Sequence, residues 1–312
     1  MKFITFTANP ALDWHIDVDA LKPGKMARAS SESVFAGGKG VNVARILNRL
    51  GKQTCALYPG GGFSCVEHSS ILTAEGVTHR IFPVPGALRR NVVIAAGKTG
   101  EAFKINSPGS SFPEGKEKEL RNWILGLCEE GDWLILSGSL PPGLPDDFYA
   151  SVLEESRRQD IITVLDSSGD ALRKGAAAKP HIVKPNLSEL SALSGKRFES
   201  LDEVERDPAV RGLIDGADIL VSGGGEGAVL FAEADEGTWR GRCAITAPHL
   251  TVGGGDSLLG AFCAARAGGK PPGEALHHAL AVASATAAAP PHRLASLQEV
   301  ESIRQSCTVW QV

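Results

Sequence analysis

Residues 133–165 read WLILSGSLPPGLPDDFYASVLEESRRQDIITVL, and this stretch indicates how the chain folds. An apolar run, Trp133–Leu136, is followed by an amphipathic segment, Asp146–Arg158, and then by a second apolar, β-branched run, Ile161–Leu165. Short apolar strands that alternate with amphipathic helices are typical of a parallel sheet with helices on both faces. The stretch therefore predicts a strand–helix–strand unit.

The same alternation extends over most of the sequence. Further strand-like runs are Lys2–Thr7, Thr54–Tyr58, His181–Val183, Ile219–Val221 and Ala228–Phe231. Helical patterns lie between such runs, at Val41–Leu50, Glu114–Cys128 and Asp256–Ala267. The pattern predicts one α/β body around a mostly parallel, doubly wound sheet.

Two stretches depart from this alternation. Residues 10–35 show period-2 patterning at Trp14, Ile16 and Val18 without a credible helix. Residues 88–106 have the pattern of a hairpin, with strands Asn91–Ala96 and Glu101–Ile105 around a turn at 97–100. Together they predict a small sheet beside the main body, acting as a lid or as a contact between subunits. No repeat or linker divides the chain, so residues 1–312 are expected to form a single domain.

Composition excludes several classes of protein. The 312 residues are 43% apolar and 22% charged, as in globular proteins, which excludes wholesale disorder. The net charge is −4 with no basic block, so no nucleic-acid partner is expected. The six cysteines form no C-x-x-C pair and are expected to be reduced, buried thiols. The longest weakly apolar stretch, Ala279–Ala289, is too short to span a bilayer. We therefore expect a cytoplasmic protein without a membrane partner.

The strongest local signal is Thr251-Val-Gly-Gly-Gly-Asp256-Ser257, which runs into an apolar helix. Three glycines before a helix let several backbone N–H groups point at one spot, where the helix dipole also favours an anion. A carboxylate beside such a spot suits phosphoryl transfer, because it can deprotonate an acceptor hydroxyl while the amides hold the phosphoryl charge. A flexible loop with an acidic helix start is an equally good interpretation of the spacing alone.

Other short patterns fit either a functional role or a purely structural one. Gly37-Gly38-Lys39-Gly40 precedes a helix and is either a substrate loop, with Asn42 nearby, or a tight turn; it is not a P-loop. Asn186 and Glu189 are spaced as a capping box. Asp13 either accepts hydrogen bonds from sugar hydroxyls or caps a turn. The glycine run 223–228 fits a dinucleotide fingerprint, but no acidic residue follows at the ribose position, so a dehydrogenase is rejected.

In their order along the chain, these patterns resemble the PfkB branch of the ribokinase-like sugar kinases. The resemblance covers nearly the whole sequence and rests on seven segments: Asn9-Pro10…Asp13, Gly37-Gly-Lys-Gly-Val-Asn42, Ser137-Gly-Ser-Leu-Pro-Pro-Gly143, Leu165-Asp-Ser-Ser-Gly169, Lys184-Pro-Asn-Leu-Ser-Glu189, Val221-Ser-Gly-Gly-Gly225 and Thr251-Val-Gly-Gly-Gly-Asp256-Ser257. The Ser137–Gly143 run and Arg89-Arg90-Asn91 look most like the phosphofructokinase and tagatose-6-phosphate kinase subgroup. The resemblance implies a ribokinase-like three-layer sandwich with a mostly parallel central sheet and a small β-sheet lid, formed from about 10–35 and 88–106.

The resemblance also implies roles for individual residues. Asp256 is expected to be the catalytic base, and Gly253, Gly254 and Gly255 to form the anion hole. The sugar phosphate is expected to meet Asp13, Arg28, Gly38, Lys39, Asn42, Arg89 and Ser139, with the two arginines on its phosphate. The expected ATP contacts are Lys184, Asn186, Ser222, Gly224, Gly227 and Thr251. Glu189, with Asn186, is expected to place Mg²⁺ through water, and the lid to pair two subunits into a homodimer.

The resemblance further implies ATP-dependent, Mg²⁺-assisted phosphorylation of a ketohexose phosphate. Fructose 1-phosphate giving fructose 1,6-bisphosphate is the first choice, followed by fructose 6-phosphate and tagatose 6-phosphate. Two arginines in the lid stretches favour a phosphosugar, because a dianion taken from water needs cationic partners. A kinase of an unphosphorylated sugar or nucleoside and a non-catalytic sensor are the alternatives. Gly254 departs from the family, which usually has alanine there.

Overall fold

The computed structural model describes residues 1–98, 100–233, 237–244, 253–289 and 293–312. Its larger sheet has ten strands, which in chain order are β1 (Phe3–Thr7), β4 (Thr54–Gly60), β5 (His79–Pro83), β8 (Trp133–Ser137), β9 (Ile162–Asp166), β10 (Ile182–Val183), β11 (Asp218–Ser222), β12 (Ala228–Phe231), β13 (Thr238–Cys243) and β14 (Cys307–Gln311). Across the sheet they follow the order β14-β13-β12-β11-β10-β9-β8-β1-β4-β5. The strands from β5 across to β11 run parallel, and β12, β13 and β14 extend the sheet antiparallel. The predicted mostly parallel sheet is confirmed.

Both faces of this sheet are buried. Along β8, Leu134 and Leu136 join one hydrophobic cluster, whereas Trp133 and Ile135 join another. Successive side chains of a strand point to opposite faces, so the two clusters lie on the two sides of the sheet. A strand buried on both faces is a continuous apolar run, which is why Trp133–Leu136 could be recognised from the sequence.

Helices cover these two faces. The cluster with Leu134 is closed mainly by α3 (Glu117–Leu125), α4 (Phe148–Ser156), α5 (Gly169–Ala177), α6 (Leu187–Ser194), α7 (Leu201–Arg206) and α8 (Pro208–Arg211). The cluster with Ile135 is closed by α1 (Lys39–Arg49), α9 (Gly254–Ala267), α10 (Pro272–Ala288) and α11 (Leu297–Arg304). A third, smaller cluster packs below α2 (Gly62–Ala74). The layering of helices, sheet and helices agrees with the predicted three-layer sandwich.

The smaller sheet has four strands: β2 (Ala11–Val18), β3 (Ala29–Gly37), β6 (Arg89–Ala96) and β7 (Glu101–Asn106). Across the sheet they follow the order β3-β2-β6-β7. Each outer strand is antiparallel to its neighbour, and the two central strands, β2 and β6, are parallel. The two stretches that lack helical patterning therefore do form a small sheet, and the hairpin predicted at 91–105 begins two residues earlier.

Several details of the sequence analysis need correction. The expectation that all six cysteines are reduced is wrong for Cys243 and Cys307, which stand opposite each other in β13 and β14 and form a disulfide. The pairing joins positions 64 residues apart, which cysteine spacing alone could not reveal. The predicted helix Glu114–Cys128 is shorter, ending at Leu125. Within the described ranges, no helix is both long and apolar enough to cross a membrane.

Candidate active site

The fold places the candidate site where the strand order reverses. From β1 the larger sheet extends through β4 in one direction and through β8 in the other, so the carboxyl ends of β1 and β8 flank a switch point. Thr7, Ser137 and Asp166 end three neighbouring strands and stand in register there. Open α/β sheets bind their ligands at this kind of position. The remaining predicted residues can therefore be judged by whether the chain brings them to this edge.

Asp256 lies at the start of α9 and is 8% exposed. Its Oδ2 accepts a hydrogen bond from Asn42 Nδ2 at 2.8 Å, across 214 residues of sequence. Gly253 precedes the helix with φ 85°, a left-handed conformation that glycine adopts without strain. The first intrahelical bond to the helix start runs from Ser257 N to Gly253 O, so the N–H groups of residues 254–256 point outward from the helix end.

The surroundings of Asp256 favour its protonated form more than water does. Burial, and then the carboxylate of Asp166, raise its pKa to about 6, while the Asn42 amide and the ammonium groups of Lys39 and Lys184 oppose the rise. At neutral pH the group is therefore mainly ionised yet close to its pKa. A general base is most effective under that condition, because it can accept a proton and release it again.

Charged side chains from α1, β9, α6 and the loop after β10 meet beside Asp256. Lys39 Nζ, at the start of α1, lies 3.0 Å from Asp166 Oδ1 and 3.6 Å from Glu189 Oε1. Lys184 Nζ, which is 4% exposed, lies 3.3 Å from the same Asp166 oxygen. Burial alone lowers the pKa of Lys39, but the carboxylates of Asp166, Glu189 and Asp256 outweigh it and raise the pKa above its usual value. Lys39 is thus held as a cation at the switch point, and Lys184 lies against the same Asp166 oxygen.

Two carboxylate oxygens in this group have no hydrogen-bond donor in the described part of the chain. Asp166 Oδ2 is buried without a partner. Glu189 Oε2 accepts the Asn186 amide while Asn186 Oδ1 accepts the Glu189 amide, so the predicted capping box is present and starts α6. The other Glu189 oxygen, Oε1, is only within ion-pair distance of Lys39. Among the described residues no cluster of three His, Cys, Asp or Glu forms a ready metal cage.

Asp13 lies on β2 and is held by the neighbouring strand. Asn91 Nδ2 on β6 donates to Asp13 Oδ1 at 2.8 Å, and the two residues are paired in register. Burial raises the pKa of Asp13, and the Asn91 hydrogen bond opposes that rise. A Cβ atom on Gly37 would lie 2.1 Å from Asp13 Oδ2, so glycine is required where β3 ends. The fully buried His68 ring donates through Nε2 to the Gly37 carbonyl at 3.1 Å and fixes this turn.

Arg89 begins β6 in the wall of a cavity of about 490 Å³ that Ser139, Asn9 and Asp146 also line. Its Nε donates to Asn9 O at 3.1 Å and its Nη1 to Ser107 O at 3.5 Å. These bonds leave Nη2 without a recorded acceptor in the described residues. The guanidinium is therefore oriented by the backbone while keeping donors for a ligand, as a bidentate anion contact requires.

Arg28 is not brought to this cavity within one chain. Arg89 pairs with Ala11 at one end of β2, whereas Ala29, the residue after Arg28, pairs with Val18 at the other end. Seven residues of strand at about 3.3 Å each separate the two ends, roughly 23 Å. Arg28 is exposed and forms no recorded hydrogen bond or ion pair in the described part of the chain.

The residues expected to contact the nucleotide lie along one edge of the site. Ser222 ends β11 and forms an isolated bridge with Asn186, which connects this edge to the start of α6. Gly224 is exposed with open space around it, whereas a Cβ on Gly227 would lie 2.1 Å from Gly241 O. The predicted contact Thr251 lies outside the described residues. Lys184 Nζ lies 3.7 Å from the position of a Cβ on Gly255, which joins this edge to the start of α9.

Sequence reasoning missed three residues that the geometry brings into the site as side chains. Asp166 belongs to the Leu165–Gly169 segment and had no expected role, yet it contacts both lysines. Asn91 holds Asp13, and Arg45 donates to the Asn42 amide. Lys39, expected on the sugar, lies beside Asp166 and Glu189, two partners that no pattern indicated. The available sequence signal for Asp166 was its position directly after a predicted strand. Arg45 had no such signal.

Comparison with known proteins decides the family. A family model described as pfkB family carbohydrate kinase matches residues 7–293. The chain belongs to the pfkB family of carbohydrate kinases. It is 33% identical to 1-phosphofructokinase of Bacillus subtilis, covering 91% of each chain, and 32% identical to tagatose-6-phosphate kinase of Staphylococcus epidermidis, covering 82% of each. This pfkB-family chain also superimposes on the crystal structure of phosphofructokinase-2 from Escherichia coli in complex with potassium, with a TM-score of 0.90, 28% identity and coverage of 97% and 98%. The ribokinase-like fold and the carbohydrate-kinase class are thereby confirmed.

Proposed function

We propose that this pfkB-family kinase transfers the γ-phosphoryl group of ATP to a ketohexose phosphate, with fructose 1-phosphate giving fructose 1,6-bisphosphate as the first choice. The observation that carries the proposal is a buried carboxylate, Asp256, that is hydrogen-bonded by Asn42 at the glycine-rich start of a helix. The names of the relatives, 1-phosphofructokinase and tagatose-6-phosphate kinase, support the substrate class.

In the proposed step, the acceptor hydroxyl oxygen forms a bond to the γ-phosphorus, and the bond from that phosphorus to the β–γ bridging oxygen breaks. Asp256 takes the hydroxyl proton, and ADP leaves with the bond electrons. The outward N–H groups of residues 254–256, together with the buried Lys184 ammonium, hold the charge of the transferring group. Asp13 orients the sugar through hydrogen bonds to its hydroxyls.

A magnesium ion fits the free oxygens of the site. Mg²⁺ prefers oxygen ligands and usually retains several waters. Asp166 Oδ2 is buried without a donor, and Glu189 Oε1 has only an ion-pair contact, so both can accept hydrogen bonds from waters of a hydrated ion. Asn186 is occupied by its capping bond and supports Glu189. When bound, the ion neutralises charge on the ATP phosphates; Lys39 and Lys184 limit the excess negative charge of the protein's own groups.

The phosphate already on the sugar is assigned to Arg89. Its guanidinium lines the 490 Å³ cavity together with Ser139, and one nitrogen has no recorded acceptor. A dianionic phosphate in a half-buried cavity needs such a cationic donor. A cationic donor at this place favours a phosphosugar over a free sugar or a nucleoside.

The test is a coupled ADP-release assay with Mg-ATP and a panel of acceptors: fructose 1-phosphate, fructose 6-phosphate, tagatose 6-phosphate, fructose, ribose and adenosine. We expect one ketohexose phosphate to have a kcat/KM well above the others. Turnover of only an unphosphorylated acceptor would overturn the assignment of Arg89. No sugar-dependent turnover would favour the sensor.

Two variants with matched controls test the assigned residues. Asp256→Asn is expected to lower kcat by about 10²- to 10⁴-fold, the usual contribution of a general base. Asp170→Asn is its control, because Asp170 also lies in the first turn of a helix but is exposed. Arg89→Ala is expected mainly to raise KM for the phosphosugar, and exposed Arg173→Ala is its control. Near-normal kcat in Asp256→Asn removes it as the base, and an unchanged KM in Arg89→Ala moves the phosphate site elsewhere.

We propose further that two copies pair through the smaller sheet. On its outer face the register aligns apolar side chains in two rows, one from Trp14 across Val92 to Ile105 and one from Ile16 across Ile94 to Phe103. Ile105 is 58% exposed in the single chain. Exposed apolar rows of this kind mark contact surfaces. Because Arg28 is remote from its own cavity, its expected phosphate contact requires a cavity of the second copy.

Sedimentation analysis of the wild type and of Ile105→Glu tests the pairing. We expect a dimer for the wild type and a monomer for the variant, with KM for the phosphosugar raised both in Ile105→Glu and in Arg28→Ala. Lys25→Ala, a neighbouring exposed cation, is the control for Arg28. A monomeric wild type contradicts the pairing, and a dimer with unaltered KM in Arg28→Ala removes Arg28 from the phosphate site.

A further inference from the structure

Arg45 connects the hydrogen-bonded pair of Asn42 and Asp256 to a third helix, α2. It lies on α1 three residues after Asn42, on the same face of the helix, and its side chain is 10% exposed. Arg45 Nη1 donates to Asn42 Oδ1 at 3.2 Å. Its Nε and Nη2 donate to the two carboxylate oxygens of Glu75, at 2.6 and 2.9 Å. Glu75 ends α2, so a continuous chain of contacts links α2, α1 and α9.

The chemistry of these groups permits one orientation of the Asn42 amide. A guanidinium only donates hydrogen bonds, and an ionised carboxylate only accepts them. With Arg45 on one side and Asp256 on the other, the amide oxygen must face Arg45 and the amide nitrogen must face Asp256. Rotation of the amide by half a turn would set its oxygen against the carboxylate and its nitrogen against the guanidinium. Both contacts would then be repulsive.

The guanidinium is itself held in place. Its fork of two parallel hydrogen bonds to Glu75 fixes the plane as well as the position of the group, which a single contact cannot do. The helix that carries it is also fixed against α9, because a Cβ on Gly260 would lie 3.0 Å from Ile46 Cγ2 and 3.3 Å from the Val43 carbonyl. Neither Arg45 nor Glu75 lines the cavity that contains Arg89.

We propose that Arg45, braced by Glu75, is a positioning residue for phosphoryl transfer: it locks the Asn42 amide so that its nitrogen always donates to Asp256. The inference rests on the proposed role of Asp256 as the base. Asp256 also faces Asp166, Lys39 and Lys184, whose charges are unchanged by substitution of Arg45. Removal of Arg45 leaves only the Asp256 contact to orient the amide, so a larger fraction of molecules present the amide oxygen to the base.

The expected effect is on kcat more than on KM. Arg45→Met keeps the length of the side chain and is expected to lower kcat roughly ten-fold, equal to about 1.4 kcal/mol, with KM for ATP and for the phosphosugar within about two-fold. Arg45→Lys, which keeps one donor, is expected to recover part of the loss. Arg49→Met is the matched control, since Arg49 lies one turn further along the same helix with its contact at Ala295.

A double-mutant cycle separates positioning from general loosening. If Arg45 acts through the amide, Arg45→Met causes less than a two-fold further change in kcat when Asn42 is already alanine. An undiminished ten-fold loss in that background overturns the inference, as does a normal kcat in Arg45→Met. Should Arg45→Met fold poorly, Glu75→Gln, which weakens the brace at a half-exposed position, must lower kcat in the same direction. Asp256→Asn measured in parallel distinguishes failure of this inference from failure of the proposed function. A normal kcat in Asp256→Asn refutes Asp256 as the base, whereas a lowered kcat there with a normal kcat in Arg45→Met refutes only the role of Arg45.

Discussion

Replacement of Asp256 by Asn should make the protein more stable while strongly lowering its kcat. Two ammonium groups, Lys39 and Lys184, face three carboxylates, Asp166, Glu189 and Asp256, so the cluster carries one excess negative charge. Neutralising Asp256 removes that excess in a buried place. The energetic cost of keeping Asp256 ionised in the folded wild type follows from its pKa, which burial and Asp166 raise from 3.8 to about 6. Each pKa unit is worth about 1.4 kcal/mol, so at pH 7 Asp256→Asn should gain about 3 kcal/mol in free energy of unfolding.

The pH dependence of this gain is the decisive measurement. Between pH 3.8 and about 6, Asp256 is mainly protonated in the folded wild type but mainly ionised in the unfolded chain. Acid therefore removes the energetic cost of the buried charge in the wild type. The stability difference between variant and wild type should therefore be complete above pH 6 and fall to roughly half at pH 5. Urea unfolding of both proteins at pH 7 and pH 5 tests this, with Asp170→Asn as the exposed control. An equal or lower stability of Asp256→Asn at pH 7, or a difference independent of pH, would refute the electrostatic reasoning.

Three further outcomes are expected. Gly254→Ala should raise the free energy of unfolding by about 0.4–1 kcal/mol in urea titrations, because no described atom lies within 4 Å of its Cβ position; a destabilised variant would show that the helix start needs glycine. Gly37→Ala should raise KM for the phosphosugar by roughly ten-fold or more, since its Cβ displaces Asp13, while KM for ATP stays constant; equal changes in both would indicate general distortion. Burial lowers the pKa of His68 to about 4, so its contribution to stability, present above pH 6.5, should decline by about 3 kcal/mol as pH falls to 4. In His68→Gln this part of the acid slope should vanish, and an unchanged slope would contradict the assignment.

The central strands and the small sheet could be predicted because their patterns are local. Trp133–Leu136 is apolar on both faces, and the hairpin of β6 and β7 has a turn between two short strands. The antiparallel strands β13 and β14 were missed, because their pairing joins distant segments and much of their surface is exposed. Local patterning contains no information about such partners.

The candidate site depended on contacts that sequence spacing cannot supply. Asn42 and Asp256 are 214 residues apart, and Lys39 and Asp166 are 127 apart. Family resemblance indicated Asp256 and a sugar contact for Lys39, and the structure adds the ion pair of Lys39 with Asp166, which no pattern indicated. Arg45 carried no signal, since an arginine on an amphipathic helix usually faces solvent. Only the fold shows that this one is braced by Glu75 and largely shielded from solvent.

A single residue joins the smaller sheet to the helix that carries Asn42 and Arg45. β3 ends at Gly37 and α1 begins at Lys39, with Gly38 at φ 131° between them and Thr7 Cγ2 only 2.7 Å from where its Cβ would lie. Because α1 is fixed against α9, a joint this short also sets where β3 ends relative to Asp256. The end of β3, which lies against Asp13, therefore has a defined position relative to the helix that presents Asn42 to Asp256.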